Sequence, residues 1–141
     1  MIADGTGFSL VLVAPAAMPD PDLPQNWRSS LNPGGTPGGS DSTSYLGSTE
    51  LELMQYATGE SAGGVVQYPG DLAIFEHLRV HGADDATVTV EVSTDMENWT
   101  TDGVTFLSQE NQANDRARIR WALPSGEGQR LFARMVVSVH P

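Results

Sequence analysis

The chain has 141 residues, which is room for one domain with a single core. It carries 18 acidic and 7 basic residues, a net charge of −11 with every basic residue an arginine, so its surface repels phosphate backbones and anionic lipid headgroups and argues against nucleic-acid binding and membrane insertion. There is no cysteine, which excludes thiolate catalysis, cysteine-based zinc sites and disulfides.

No apolar run reaches the roughly 18 residues a membrane-spanning helix needs. The opening Met1–Gly5 lacks the basic and apolar regions of a secretion signal, and reads as a piece from within a longer protein. Phe8–Val13 is a β-prone run with Phe8, Leu10 and Leu12 on one face, ended by Pro15. From Pro15 to Ser44 the density of Pro and Gly predicts an irregular arm without helix or central strand. Trp27 is its bulky anchor, expected to pin the arm onto a neighbouring core.

Thr49 followed by Glu52 forms a capping-box pattern, Leu51, Leu53, Met54, Tyr56 and Ala57 supply apolar surface, and Gly59 stands where a helix ends. This is the one helix the sequence predicts. Strands follow at Val65–Tyr68, Leu72–Val80, Thr87–Ser93, Val104–Leu107, Arg116–Ala122 and Leu131–Val139, each bounded by turn-forming residues. The pattern predicts an all-β antiparallel sandwich, immunoglobulin-like or jelly-roll-like, over residues 45–141, preceded by the strand and arm of residues 1–44. Alternation places Val88, Val90, Val92, Ile119, Trp121, Phe132 and Val136 inside together, with Arg116, Arg118 and Arg120 pointing outward.

Candidate chemistry is thin. His77 and His81 fall in a strand-like run, where four residues separate side chains by about 13 Å, too far for one metal. No nucleophile–base motif accompanies them, so no catalytic residue is assigned. Of the carboxylate pairs, Asp20/Asp22 lies in the Pro-rich arm, Asp84/Asp85 in a hairpin turn and Asp95/Glu97 in another turn, and local bonding of Asp to backbone N–H groups explains all three. Asp84, Asp85 and Asp95 are also the best oxygen donors for a structural calcium, the one cofactor the sequence leaves open, although their spacing fits no EF-hand. The Arg116, Arg118, Arg120 ladder is expected to pair with Glu91, Glu97 or Glu110 across strands. The sharper alternative is an anion or glycan site with Trp99 or Trp121 as a stacking platform.

Two stretches resemble known families. Ala3-Asp4-Gly5-Thr6-Gly7-Phe8-Ser9-Leu10, Asn26-Trp27-Arg28-Ser29-Ser30 and Gly35-Thr36-Pro37-Gly38 resemble the closing third of a bacterial lamin-tail-like domain. Leu53-Met54-Gln55-Tyr56-Ala57-Thr58-Gly59 and Val90-Glu91-Val92-Ser93-Thr94-Asp95-Met96-Glu97-Asn98-Trp99 are similar to carboxy-terminal modules of large exported bacterial proteins. Met54-Gln55 stands in place of an acidic pair there, and Met96 in place of Leu. These resemblances imply a non-catalytic structural or interaction module of an extracellular or cell-surface protein, with other domains or other copies of itself as partners. The alternative is a carbohydrate-binding module presenting Tyr45, Tyr68, Trp99 and Trp121 to glycans. The partners of Phe8, Leu10 and Leu12 in a lamin-tail-like sheet are missing from this chain. That strand is therefore expected to add to an edge of its own sandwich, with Trp27 docked beside it, or else to pair with another copy as an assembly strand.

Overall fold

The computed structural model describes residues 7–60, 64–68, 72–112, 116–125 and 130–139. The fold is all-β and sandwich-like, and the described residues form eight antiparallel strands, one helix and two short 3-10 turns at Pro15–Ala17 and Pro24–Asn26. The strands are β1 (Phe8–Leu12), β2 (Trp27–Pro33), β3 (Val65–Gln67), β4 (Ile74–Val80), β5 (Ala86–Ser93), β6 (Thr105–Gln112), β7 (Arg116–Ala122) and β8 (Phe132–Val139). One layer is a four-stranded sheet in the order β3-β4-β7-β6. The ladder β5–β8 lies across its inner face, and the pair β1–β2 covers the rest.

Helix α1 (Glu50–Thr58) forms where the sequence places it. The Thr49 hydroxyl accepts from the Glu52 N–H at 3.1 Å, and the Glu52 carboxylate accepts from the N–H groups of Thr49 and Ser48. Gly59 closes the helix at φ +76, where a side chain would also meet the Arg116 side chain at 2.7 Å.

Phe75, Val90, Val92 and Leu123 form the buried core between the layers, with Met135, Ala133, Leu131 and Trp121 packed against them. Ile119 is 5 % exposed and the Arg118 side chain 36 %, so β7 faces as its alternation predicts. Strand β8 does not. Val92 pairs with Ala133, Val90 with Met135 and Val88 with Val137, which puts Ala133, Met135 and Val137 on the inner face. Phe132 and Val136 belong to the outer face, and Val136 is 36 % exposed. The run Met135-Val136-Val137 is apolar on both faces, so period-two alternation alone assigns its register arbitrarily.

The amino-terminal region departs most from expectation. Phe8–Leu12 does not pair with an edge of the residue 45–141 sheets. Its partner is Trp27–Pro33, inside the supposedly irregular arm, with Leu10 opposite Ser29, Val11 opposite Arg28 and Leu12 opposite Trp27. Pro and Gly are dense across residues 15–44 as a whole, but Gln25–Asn32 contains neither, and that window is long enough for a strand. Arg28, Ser29 and Ser30 are buried.

Candidate functional site

The turn between β4 and β5 is buried from His81 to Asp84, which is unusual for a connection because its polar groups must then be satisfied from elsewhere. Residues of the segment before α1, and of α1 itself, meet several of them. The Gly82 carbonyl accepts from the Thr43 N–H at 2.7 Å. Asp85 accepts from the Tyr45 N–H at 2.8 Å and from the Tyr56 hydroxyl at 2.5 Å. Burial, followed by that bond to Asp85, pushes the Tyr56 hydroxyl up to about 12.

Asp84 holds the centre. Its two oxygens accept from Arg28 Nε at 2.9 Å and Arg28 Nη2 at 3.0 Å, a bidentate fork, and Oδ2 also accepts from the Ala14 N–H at 3.3 Å. Asp41 takes the other side of Arg28 at 2.8 Å through its carboxylate, and its carbonyl accepts from Nη2 as well. Asp41 is fixed in turn by the Leu31 N–H and the Thr36 hydroxyl. Burial alone would raise the Asp41 carboxyl, but the bonds from Arg28, Leu31 and Thr36 outweigh it and hold it below the ordinary carboxylate range. Burial likewise opposes the Arg28 charge, and the two carboxylates overcome it. The clamp is completed from the facing sheet, where the Gln109 amide donates to the Trp27 carbonyl at 2.8 Å and the Asn111 amide donates to the Ser29 hydroxyl at 3.0 Å.

Beside this clamp lies a cavity of about 260 Å³. The four-stranded sheet lines it with His77, Arg79, Ile119 and Trp121, and β5 with Ala86, Thr87 and Val88. The amino-terminal segment closes it with Val13, Ala14, Ala17 and Pro19. Exposed Ala17 and Thr87 mark the mouth. His77 is neutral and of defined tautomer: the Trp121 indole N–H donates to His77 Nε2 at 3.0 Å, so the ring proton sits on Nδ1 and donates to the Leu78 carbonyl at 3.0 Å. Burial first, then the Arg79 charge, holds the His77 imidazole below its ordinary value. Arg79 is half-buried, burial lowers its pKa, and no described residue gives it a hydrogen bond or ion pair. On either side of the turn at the mouth, Ala14 (φ 47) and Met18 (φ 51) adopt left-handed backbone, at roughly 1–3 kcal/mol each.

The residues singled out in the sequence are scattered around this site. Arg118 and Arg120 both pair with Glu76, at 3.3 and 2.8 Å, and Arg120 also reaches Glu110 at 3.5 Å. Arg116 lies 3.8 Å from Glu60. The ladder is thus carboxylate-paired, chiefly by Glu76. Glu91 instead binds Arg134 at 2.9 Å, and the Arg134 guanidinium stacks 4.2 Å above the Trp99 ring. Trp121 lines the interior cavity while Trp99 lies at the turn after β5, so the two do not share a platform. Tyr45 packs against Tyr56 with rings tilted by 46°, and Tyr68 stands exposed elsewhere. The Trp27 indole donates to the Pro21 carbonyl at 2.8 Å, so it ties its own loop, and it is the Trp27 backbone that bonds to the sheet.

The calcium candidates are occupied by donors. Asp84 and Asp85 both bond distant partners, Arg28 and Ala14 for the first and Tyr45 and Tyr56 for the second, which the local reading did not include. Asp95 does cap its turn, accepting from the Ser93 hydroxyl, from the Glu97 and Asn98 N–H groups and from the Asn98 amide, and these bonds hold its carboxyl far below the usual range. Among the described residues no three His, Asp or Glu side chains gather as a metal site. His140 lies outside the described residues.

No protein-family model, curated protein or solved structure matches this chain.

Sequence reasoning missed Arg28, Asp41, Arg79, Gln109 and Asn111. Arg79 carried one legible signal: it follows His77 by two residues in a strand whose alternation turns both inward. Asp41 carried none, because its partner is set by the path of the arm.

Proposed function

We propose that this chain is a non-catalytic structural and interaction module of an extracellular or cell-surface bacterial protein. The observation that carries the reading is the clamp of Arg28 between Asp41 and Asp84, the most buried charged constellation described, which holds the amino-terminal hairpin on the sandwich. The same use of charge recurs at Arg118 and Arg120 with Glu76 and at Arg134 with Glu91, where each guanidinium is tied to a carboxylate. His77 is tied as a neutral hydrogen-bonding spacer between Trp121 and Leu78. Such side chains hold a shape; they are not poised to move protons. The sequence resemblances supply the surface location. Partners are other domains of a larger protein or further copies, and the outer edge of β1, where Leu10 is 47 % exposed, offers a place for strand addition.

Two assays of the purified chain test this reading. Incubation with polysaccharide, ester and phosphoester substrates is expected to give no turnover, and a glycan array no binding. Hydrolysis of any of them would overturn the reading. Glycan binding lost in a folded Trp99→Ala variant would replace it with the carbohydrate-binding alternative. Location is read separately, by whether protease added to intact cells cleaves the chain.

A further inference from the structure

We propose that the cavity beneath the amino-terminal hairpin binds a small, apolar-bodied organic monocarboxylate through Arg79. This goes beyond the non-catalytic reading, because it names a ligand class and stands or falls independently of where the protein resides.

Arg79 presents five N–H donors in a fixed fork, and none meets an acceptor among the described residues. The carboxylate whose charge acts on it, Asp84, is already committed: Arg28 occupies both of its oxygens, and the Ala14 N–H adds a third bond. Half-buried in the cavity wall, this guanidinium has its donors open to whatever enters, and a planar carboxylate is the group whose two oxygens match its fork. Charge sets the valence of the ligand. Arg28 and Arg79 balance Asp41 and Asp84, so a monoanion adds one charge to a neutral set, whereas a phosphate dianion would face Asp84 with two.

The remaining walls set the body of the ligand. Val88, Ile119 and the Trp121 ring are apolar surfaces, and the indole N–H and His77 are already bonded to each other. About 260 Å³ lies just below the range of roughly 300–1,000 Å³ for drug-sized sites, which suits a short aliphatic or single-ring acid. Entry is past Ala17, on the turn bracketed by the left-handed Ala14 and Met18.

The test is a titration of the full chain with hexanoate and phenylacetate, each beside its neutral amide, followed by calorimetry and by amide chemical shifts. The expected result is saturable binding with shifts confined to Ala14, Ala17, Thr87 and Val88, and an acid preferred over its amide by roughly tenfold or more. Arg79→Met should abolish that preference. Ala17→Trp, which narrows the mouth and leaves Arg79 in place, should abolish binding of both while preserving the dispersed spectrum; it also decides the matter if Arg79→Met does not fold. Absence of saturable shifts up to the solubility of the acids, equal binding of acid and amide, a preference that survives Arg79→Met, or shifts centred on Arg116, Arg118 and Arg120 would each overturn the proposal.

Discussion

At one end of the space between the layers, Phe75, Val90, Val92 and Leu123 close on one another as an apolar core. At the other end, under β1–β2, the fold encloses Arg28, Asp84, His77 and Arg79, with Gln109 and Asn111 reaching across from β6. The first end is held by non-directional burial and tolerates approximate shapes. The second holds only while the partners of Arg28, Asp84 and His77 are present, because each of these carries a desolvation penalty that its bonds must offset.

Substitutions at the two ends should therefore fail in different ways. The largest effects are expected from Phe75→Ala and Arg28→Met. Phe75→Ala should cost about 3–5 kcal/mol in urea unfolding through lost burial and the cavity left behind. Arg28→Met should cost a similar amount, about 3–5 kcal/mol, by stranding Asp41 and Asp84 without their counter-charge. The contrast lies in rescue. Adding Asp84→Asn to Arg28→Met should recover part of the loss, since it removes a stranded charge. Adding Val92→Ala to Phe75→Ala should recover none.

Next in size is the response to pH. His77 is held below its ordinary value, so the unfolded chain takes up a proton that the folded chain refuses. Stability is complete above about pH 6.5 and falls as pH drops below it, by at most about 1.4 kcal/mol per pH unit. Asp41 is held below the carboxylate range, so its contribution is present above about pH 4 and is lost as pH falls further toward its folded value. Urea unfolding from about pH 8 to 2 in high salt, which screens repulsion among the excess charges, should show the His77 loss first and the Asp41 loss below about pH 4. The apolar end contributes nothing to this profile.

Two smaller changes touch neither end and serve as a scale. Thr49→Ala removes the capping box of α1 and should cost about 1 kcal/mol. Arg134→Ala removes the stacking on Trp99 and an exposed ion pair, for about 0.5–1 kcal/mol. Thermal melts should rank both below either end.

The same contrast explains what was legible in the sequence. The helix, most of the later strands and the facing of β5 and β7 follow from capping residues and period-two alternation, signals contained within a few neighbouring positions. Strand β6 runs on to Gln112, past the expected end at Leu107, through the polar run Ser108-Gln109-Glu110-Asn111. Strand β8 escaped because Met135-Val136-Val137 offers apolar surface to both faces. Strand β2 escaped because its residues, Trp27-Arg28-Ser29-Ser30-Leu31, are half polar and lie among prolines. Their burial depends on Asp84, which is 56 residues from Arg28. Asp95 and Asp84 look alike in the sequence, each an acid in a turn. Asp95 is satisfied within three residues, and Asp84 only by a segment whose path no local pattern specifies.

Native-state hydrogen exchange with increasing urea tests most directly whether the amino-terminal hairpin belongs to the same cooperative body as the sandwich. Backbone amides of β1 and β2 should open with the same free energy as those of β4, β5 and β7, all converging on global unfolding. In Arg28→Met the two sets should fall together. Exchange of β1 and β2 at a far lower free energy than β4 and β7, unchanged by Arg28→Met, would show a dispensable arm and contradict the account.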